Sequence, residues 1–187
     1  MRQITLGKEG VEKNIIQTLQ EKSGVRLSDC YQCGKCSAGC PVAFAMDLKP
    51  RQLIRLLQLE QVDEVLKSKT PWLCATCQCC FVRCPNEIKI PNLMEAVRQE
   101  AKARHIIPEK DIDKFNNLFL KNVEQFGRSH ETFLMGFYNL TTGHLFQDVG
   151  CAPKLYFNKK IRIRPHVVKN KSGVKRLFQK TIEKGAK

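Results

Sequence analysis

The chain has 187 residues, 42% of them hydrophobic but only 7% aromatic, and a formal net charge of +14. No apolar run approaches the roughly 18 residues of a membrane-spanning helix, and the opening stretch MRQITLGKEGVEKN lacks the apolar core of a secretory signal. The sequence therefore predicts a cytoplasmic protein, in which ten cysteines point to metal or redox chemistry and away from a disulfide framework.

Val11, Ile15 and Leu19 recur at the spacing of one helix face and predict a helix over 9–22, stopped by Gly24. A first burst of cysteines runs from Cys30 to Cys40. Pro50 then opens PRQLIRLLQLEQVDEVLKS, which reads as one or two short helices ending near Ser68. Trp72 leads into a second burst, Cys74 to Cys84. Pro91 starts a helix through about Arg104. Over 111–126, Ile112, Phe115, Phe119, Val123 and Phe126 fall in register as an amphipathic helix. Glycines break the stretch after Gly127, residues 150–170 read as irregular, and a short basic helix is expected over 173–184. The predicted fold is mainly α, with a cluster-bearing domain at 1–105 (loops 30–41 and 74–85) and a helical, irregular and basic extension at 106–187.

Nine of the ten cysteines lie between Cys30 and Cys84, in two runs of one spacing. The first is Cys30-x2-Cys33-x2-Cys36-x3-Cys40-Pro41 and the second is Cys74-x2-Cys77-x2-Cys80-x3-Cys84-Pro85. This is the run of bacterial ferredoxins, whose fourth cysteine serves the neighbouring cluster. Three thiolates two residues apart wrap one cube; the fourth, followed by proline, leads the chain away to the other. The spacing predicts two [4Fe–4S] clusters, one on Cys30, Cys33, Cys36 and Cys84, the other on Cys74, Cys77, Cys80 and Cys40. Zinc sites also use cysteines two residues apart, but as four ligands contributed in two pairs, and here both runs match the ferredoxin template through the proline.

Cys79 reads as a small residue beside the second cluster or as an alternative ligand, and Cys151 as an ordinary thiol. Lys35 and Arg83 are candidates to tune the clusters by charge, or are solvated loop residues. Gly34 and Gly39 are expected to let the backbone approach a cube, and Trp72 to shield a cluster or fill the core. The histidines, His105, His130, His144 and His166, show no metal-ligand spacing. No dinucleotide fingerprint, phosphate-binding loop or nucleophile elbow occurs. Two fully capped cubes without catalytic apparatus imply a relay: a non-catalytic electron-transfer part of an oxidoreductase.

The 33 residues between the bursts are too many for the smallest ferredoxins, and a helical pair there resembles the α-helical ferredoxin domain of succinate dehydrogenase iron–sulfur subunits. The 29 residues before Cys30 leave no room for the [2Fe–2S] domain that precedes it there. CYQCGKCSAGCPVAF, KPRQLIRLLQLEQVDEVLKS and WLCATCQCCFVRCPNEIKIPNLMEAVR together resemble the small C subunit of heterodisulfide reductase, as do GRSHETFLM and PHVVKNKSGVKRLFQK, so that the resemblance runs from about residue 25 to 183. The resemblance implies that electrons pass from a flavin-containing A subunit, through this chain, to a B subunit that reduces the disulfide of coenzyme M and coenzyme B.

Residues 154–187 carry twelve Lys or Arg against one acid, Glu183. Such a tail is attracted to an acidic protein surface, a nucleic acid or an anionic membrane; with the resemblance, packing on a partner subunit is the expectation. Two other functions stand beside the relay subunit: a free-standing dicluster carrier or the iron–sulfur subunit of another oxidoreductase, and a zinc-stabilised nucleic-acid module. The basic extension argues against the free carrier, which is usually small and acidic, and the cysteine runs argue against the zinc module.

Overall fold

The structure, a computed structural model, describes residues 11–143, 150, 152–158, 168 and 170–185. Among these the chain is helical without strands and divides into two compact units, Met1–Glu109 and Lys110–Lys187.

In the first unit, α1 (Val11–Ser23) ends as expected at Gly24, which takes the left-handed φ of 64° that glycine adopts without strain. Ile15 and Leu19 point from α1 into the core, and α1 packs along α7 (Ile90–Ala103), with Lys22 Nζ 3.7 Å from Glu100. A short 3-10 turn, Leu27–Asp29, brings the chain to the first cysteine run. Between the runs lie α3 (Pro50–Gln58) and α4 (Val62–Leu66). Pro50 occupies the first turn of α3, where its missing N–H costs nothing. The Lys49 N–H there is taken by the Gln52 side chain at 2.9 Å. Leu53, Ile54, Leu57, Val62, Val65 and Leu66 are all at most 1% exposed and meet Leu93, Met94 and Val97 of α7 in one core.

Asp47 pins this scaffold together. Its carboxylate accepts hydrogen bonds from the Ser68 hydroxyl (2.7 Å), the Lys69 N–H (2.9 Å) and the Thr70 N–H (3.1 Å), and so holds the start of α5 (Thr70–Leu73). Partial burial alone would raise its pKa, but these donors and the Leu48 N–H outweigh that and hold it at about 2. A carboxyl lowered on folding contributes stability that is complete above its ordinary pKa of 3.8 and lost as pH falls through about 2. The side chain is largely exposed, so solvent screening limits the effect. Asp47→Ala is expected to cost about 1–2 kcal/mol at pH 7, the difference from the unmodified chain closing toward pH 2 in thermal unfolding. A difference constant across that range would rule the carboxylate out as its source.

In the second unit, α8 (Lys110–Phe126) and α9 (Glu131–Thr142) form a hairpin, and α11 (Lys171–Gly185) packs on α8. Asn122, fully buried, fixes the turn by donating to the His130 carbonyl (2.9 Å) and accepting the His130 N–H (3.3 Å). An aromatic series joins the two helices: Phe115 meets Tyr138 edge-on at 5.7 Å, and Phe126 meets Phe133 at 5.3 Å. The apolar register expected along α8 is present but not enclosed: Phe115 and Phe119 remain 42% and 39% exposed. A hairpin with one further helix lacks the surface to cover both faces. Between 150 and 170, expected to be irregular, Ala152–Phe157 forms a short helix, α10. Cys151, His144, His166, Lys159, Lys160, Arg162, Arg164, Lys169 and Lys187 lie outside the described residues.

Candidate functional site

The two cysteine runs fold alike, position by position. Within each, a short helix sits between the second and fourth cysteines: α2 (Lys35–Ala38) in the first and α6 (Cys79–Val82) in the second. Each is preceded by a left-handed residue, Gly34 (φ 84°, ψ −5°) and Gln78 (φ 63°, ψ −2°). Two residues further back a second left-handed pair matches, Gln32 (φ 63°) and Thr76 (φ 50°). These reversals turn the chain sharply between successive cysteines in the same way in both runs. Only one of the four positions is glycine. Since a side chain in that region costs about 1–2 kcal/mol, Gln78→Gly, at an exposed site, is expected to stabilise the chain by up to about 1 kcal/mol in chemical denaturation. A loss of stability would mean that the Gln78 side chain has a role of its own.

Cys40, the last cysteine of the first run, lines one cavity together with Cys74, Cys77, Cys79 and Cys80 of the second. The rest of the wall is apolar, with Val42, Met46, Pro50, Ala75, Ile90, Pro91 and Met94. Thus α3 and α7 both present their opening prolines to it. On the other side, Tyr31 has its phenol pKa raised, first by desolvation and then by negative charge at Cys33, Cys84 and Cys30. The last cysteine of the second run therefore lies in the same small field as two cysteines of the first. Asn86 clamps this exchange by donating to the Asp29 carbonyl. Cys36 and Cys80, equivalent in the two runs, are within electrostatic reach of each other: charge at Cys36 adds a little to the rise of the Cys80 pKa.

Burial decides the state of these thiols. It raises the pKa of Cys36 and Cys74, and pushes Cys80 up to about 12, with the charge of Cys74 adding to it. Cys77 goes the other way, lowered by hydrogen bonds from the Cys79 N–H and the Cys79 thiol. Four thiolates on one apolar cavity repel one another unless cations replace their protons, and metal loading at such a site releases those protons. Sulfur donors around an apolar cavity fit iron–sulfur ligation. Zinc sites instead take four ligands about 2.3 Å from one centre, contributed in two pairs, whereas each run here supplies four cysteines. Cys33 and Cys77 are exposed, so each run has one ligand candidate at the surface.

Around these cysteines, Gly34 is favoured by its positive φ, and a Cβ there would only touch the Arg51 side chain, 3.7 Å away. Gly39 has an ordinary φ, and the neighbour that a Cβ would strike is the Arg83 side chain, whose Nε would lie 2.8 Å away. Arg83 thus packs across from the second run to the first. Trp72 is 3% exposed and is a core residue absent from the cavity wall, its indole N–H without a partner. His130 is structural: its Nδ1 accepts the Phe133 N–H at 3.1 Å and caps α9. Two features escaped the sequence, the Asp47 hub and a Gln32–Gln58 pair beside Cys30; neither glutamine nor a lone aspartate carries a spacing signal.

Residues 26–88, which hold both cysteine runs and the helices between them, match the family model described as the 4Fe-4S dicluster domain. Over a somewhat longer stretch, the chain is similar to proteins named as C subunits of heterodisulfide reductases. It is 37% identical over 93 residues to the iron–sulfur C subunit of the CoB–CoM heterodisulfide reductase of Methanopyrus kandleri, a match spanning 50% of this chain and 48% of that one. It is 33% identical over 102 residues to the C subunit of the H(2):CoB-CoM heterodisulfide,ferredoxin reductase of Methanothermobacter marburgensis, spanning 54% and 55%. The C subunit of the ferredoxin:CoB-CoM heterodisulfide reductase of Methanosarcina acetivorans is 34% identical over 94 residues, spanning 50% and 38%. The chain spans about half the length of the curated relatives it matches. No helix among the described residues is long and apolar enough to cross a membrane.

Proposed function

We propose that this chain is the electron-transfer subunit of a heterodisulfide reductase-type complex, accepting electrons from a flavin-containing A-type subunit and passing them to a disulfide-reducing B-type subunit in the cytoplasm. Two [4Fe–4S] clusters, when bound, supply one-electron redox chemistry. Cys30, Cys33, Cys36 and Cys84 would hold the first, and Cys74, Cys77, Cys80 and Cys40 the second. The observation that carries this reading is the shared cavity of Cys40 with Cys74, Cys77 and Cys80, an exchange between runs that a pair of independent metal sites does not need. Exposed Cys33 and Cys77 give each site a short path to a partner surface, and the charge that Cys36 exerts on Cys80 puts the two sites within electrostatic reach. The names of the relatives described above, C subunits of heterodisulfide reductases, support a place in a complex.

The test is anaerobic purification of the tagged chain from its own cells, with iron, sulfide and companions determined. About eight irons per chain, with a flavoprotein and a cysteine-rich subunit alongside, are expected. A brown protein without companions would overturn the complex and leave a free carrier; a colourless zinc protein would overturn the relay itself.

A further inference from the structure

Beside the first cysteine run lies a hydrogen-bonded pair of side chains that the spacing of cysteines does not require. Gln32 Nε2 stands 3.4 Å from Cys30 Sγ and 3.4 Å from Gln58 Oε1. Gln58 is itself held without ambiguity. Its Nε2 donates to the Leu27 carbonyl at 2.7 Å and to the Cys30 carbonyl at 3.0 Å, both acceptors only. Its Oε1 must then face the other way, where it also receives Arg55 Nη1 at 3.3 Å. An amide oxygen facing Gln32 admits only the Gln32 nitrogen opposite it, so the two N–H bonds of that nitrogen are directed at Gln58 Oε1 and at Cys30 Sγ. The orientation of Gln32 is thus fixed by backbone carbonyls two steps away.

The second run lacks this arrangement. Thr76 holds the position equivalent to Gln32, with the same left-handed backbone, but its hydroxyl donates to the Ala75 carbonyl at 2.8 Å. At this position the loops therefore differ in the side chain: Gln32 Nε2 reaches the Cys30 sulfur, whereas the Thr76 hydroxyl is turned to a carbonyl and it is the Thr76 backbone N–H that bonds the Cys74 sulfur. The left-handed backbone is common to both, φ 63° at Gln32 and 50° at Thr76.

Resting on the ligand assignment proposed above, we infer that Gln32 is a tuning residue for the cluster on Cys30, Cys33, Cys36 and Cys84, oriented by Gln58 as a positioning residue, and that its N–H bond to Cys30 Sγ raises the reduction potential of that cluster alone. An electron added to a cube increases the negative charge on its thiolates. A donor at the sulfur stabilises the reduced form more than the oxidised one, which is how hydrogen bonds to sulfur set such potentials. The second cluster receives no side-chain amide donor at this position, where Thr76 bonds the Cys74 sulfur through its backbone N–H.

The experiment is an EPR-monitored redox titration of the full-length holoprotein, with the signal of the first cluster assigned by its sensitivity to Cys30→Ser. In Gln32→Leu, the reduced-to-oxidised ratio of that cluster at a fixed potential is expected to fall about three- to tenfold, a tenfold change being about 59 mV for one electron. Gln32→Glu, with a carboxylate at the sulfur, should fall further than Gln32→Leu, and Gln58→Leu should shift in the same direction by less. The second cluster should keep its midpoint in all three. A merely structural role predicts no such order and no confinement to one cluster. An unchanged first midpoint in Gln32→Leu, or equal shifts of both clusters, would overturn the inference. If Gln32→Leu fails to load its cluster, Gln58→Leu decides alone, since Gln58 meets Cys30 at the backbone carbonyl and not at the sulfur. Two [4Fe–4S] signals missing from the unmodified chain would strike the ligand assignment instead.

Discussion

Replacing Cys84 by alanine is expected to abolish the cluster built on the first cysteine run, although residue 84 belongs to the second. Iron should fall from about eight to about four per chain, and the surviving EPR signal should be that of the cluster on Cys74, Cys77, Cys80 and Cys40. The grounds are geometric: Cys84 shares the Tyr31 environment with Cys30 and Cys33, while the cavity holding Cys74, Cys77 and Cys80 takes its remaining ligand candidate from Cys40. Cys84 also packs against the core, and Asn86 just beyond it donates to Asp29 beside Cys30. The reciprocal change, Cys40→Ala, should remove the other signal. Loss of the second-run signal in Cys84→Ala, with the first intact, would reverse the assignment.

Deleting residues 154–187 should weaken assembly with the companion subunits at least about tenfold and leave iron and sulfide per chain unchanged. The eight ligand candidates all lie in the first compact unit, whose core is built on α1, α3, α4 and α7. What goes is a basic surface. On α11, Lys171, Lys175, Arg176 and Lys180 are exposed, and Leu177 beside them is 65% exposed. A cationic helix with an uncovered leucine suits an acidic surface with an apolar centre. Assembly of the complete chain should correspondingly loosen as salt rises, because exposed charges are screened over about 10 Å at 0.1 M. Unimpaired assembly after the deletion would remove the tail from the interface. Cluster loss would show that the second unit supports the first.

The cysteine spacing, the prolines and the leucine periods made the first unit legible before any coordinates. Pro50 and Pro91 sit in the first turns of α3 and α7, and Gly24 closes α1. Those signals are local and follow from backbone chemistry. The short helices inside the cysteine runs were not legible, since four residues are too few to show a period. Nor were the matching left-handed turns: glycine announces one at Gly34, but glutamine conceals its counterpart at Gln78. Asp47 illustrates the rest. Its partners are 21 to 23 residues away, and a hydrogen bond at that separation leaves no mark on either segment alone. In the second unit the apolar register of α8 was correctly placed, but a pattern reports which side chains share a face and not whether enough neighbours exist to bury them.

The exchange of last cysteines has a consequence for the order in which the molecule is made. A chain emerges from the ribosome N-terminus first, so Cys30, Cys33 and Cys36 appear while Cys84 and Asn86 remain unsynthesised. On the assignment above, the second cube has its full set of ligands once residue 80 is out, and the first, though begun earlier, only at residue 84. Loading should accordingly be abrupt: nascent chains truncated before residue 74 would hold iron poorly, and those just beyond residue 84 would hold nearly the full complement.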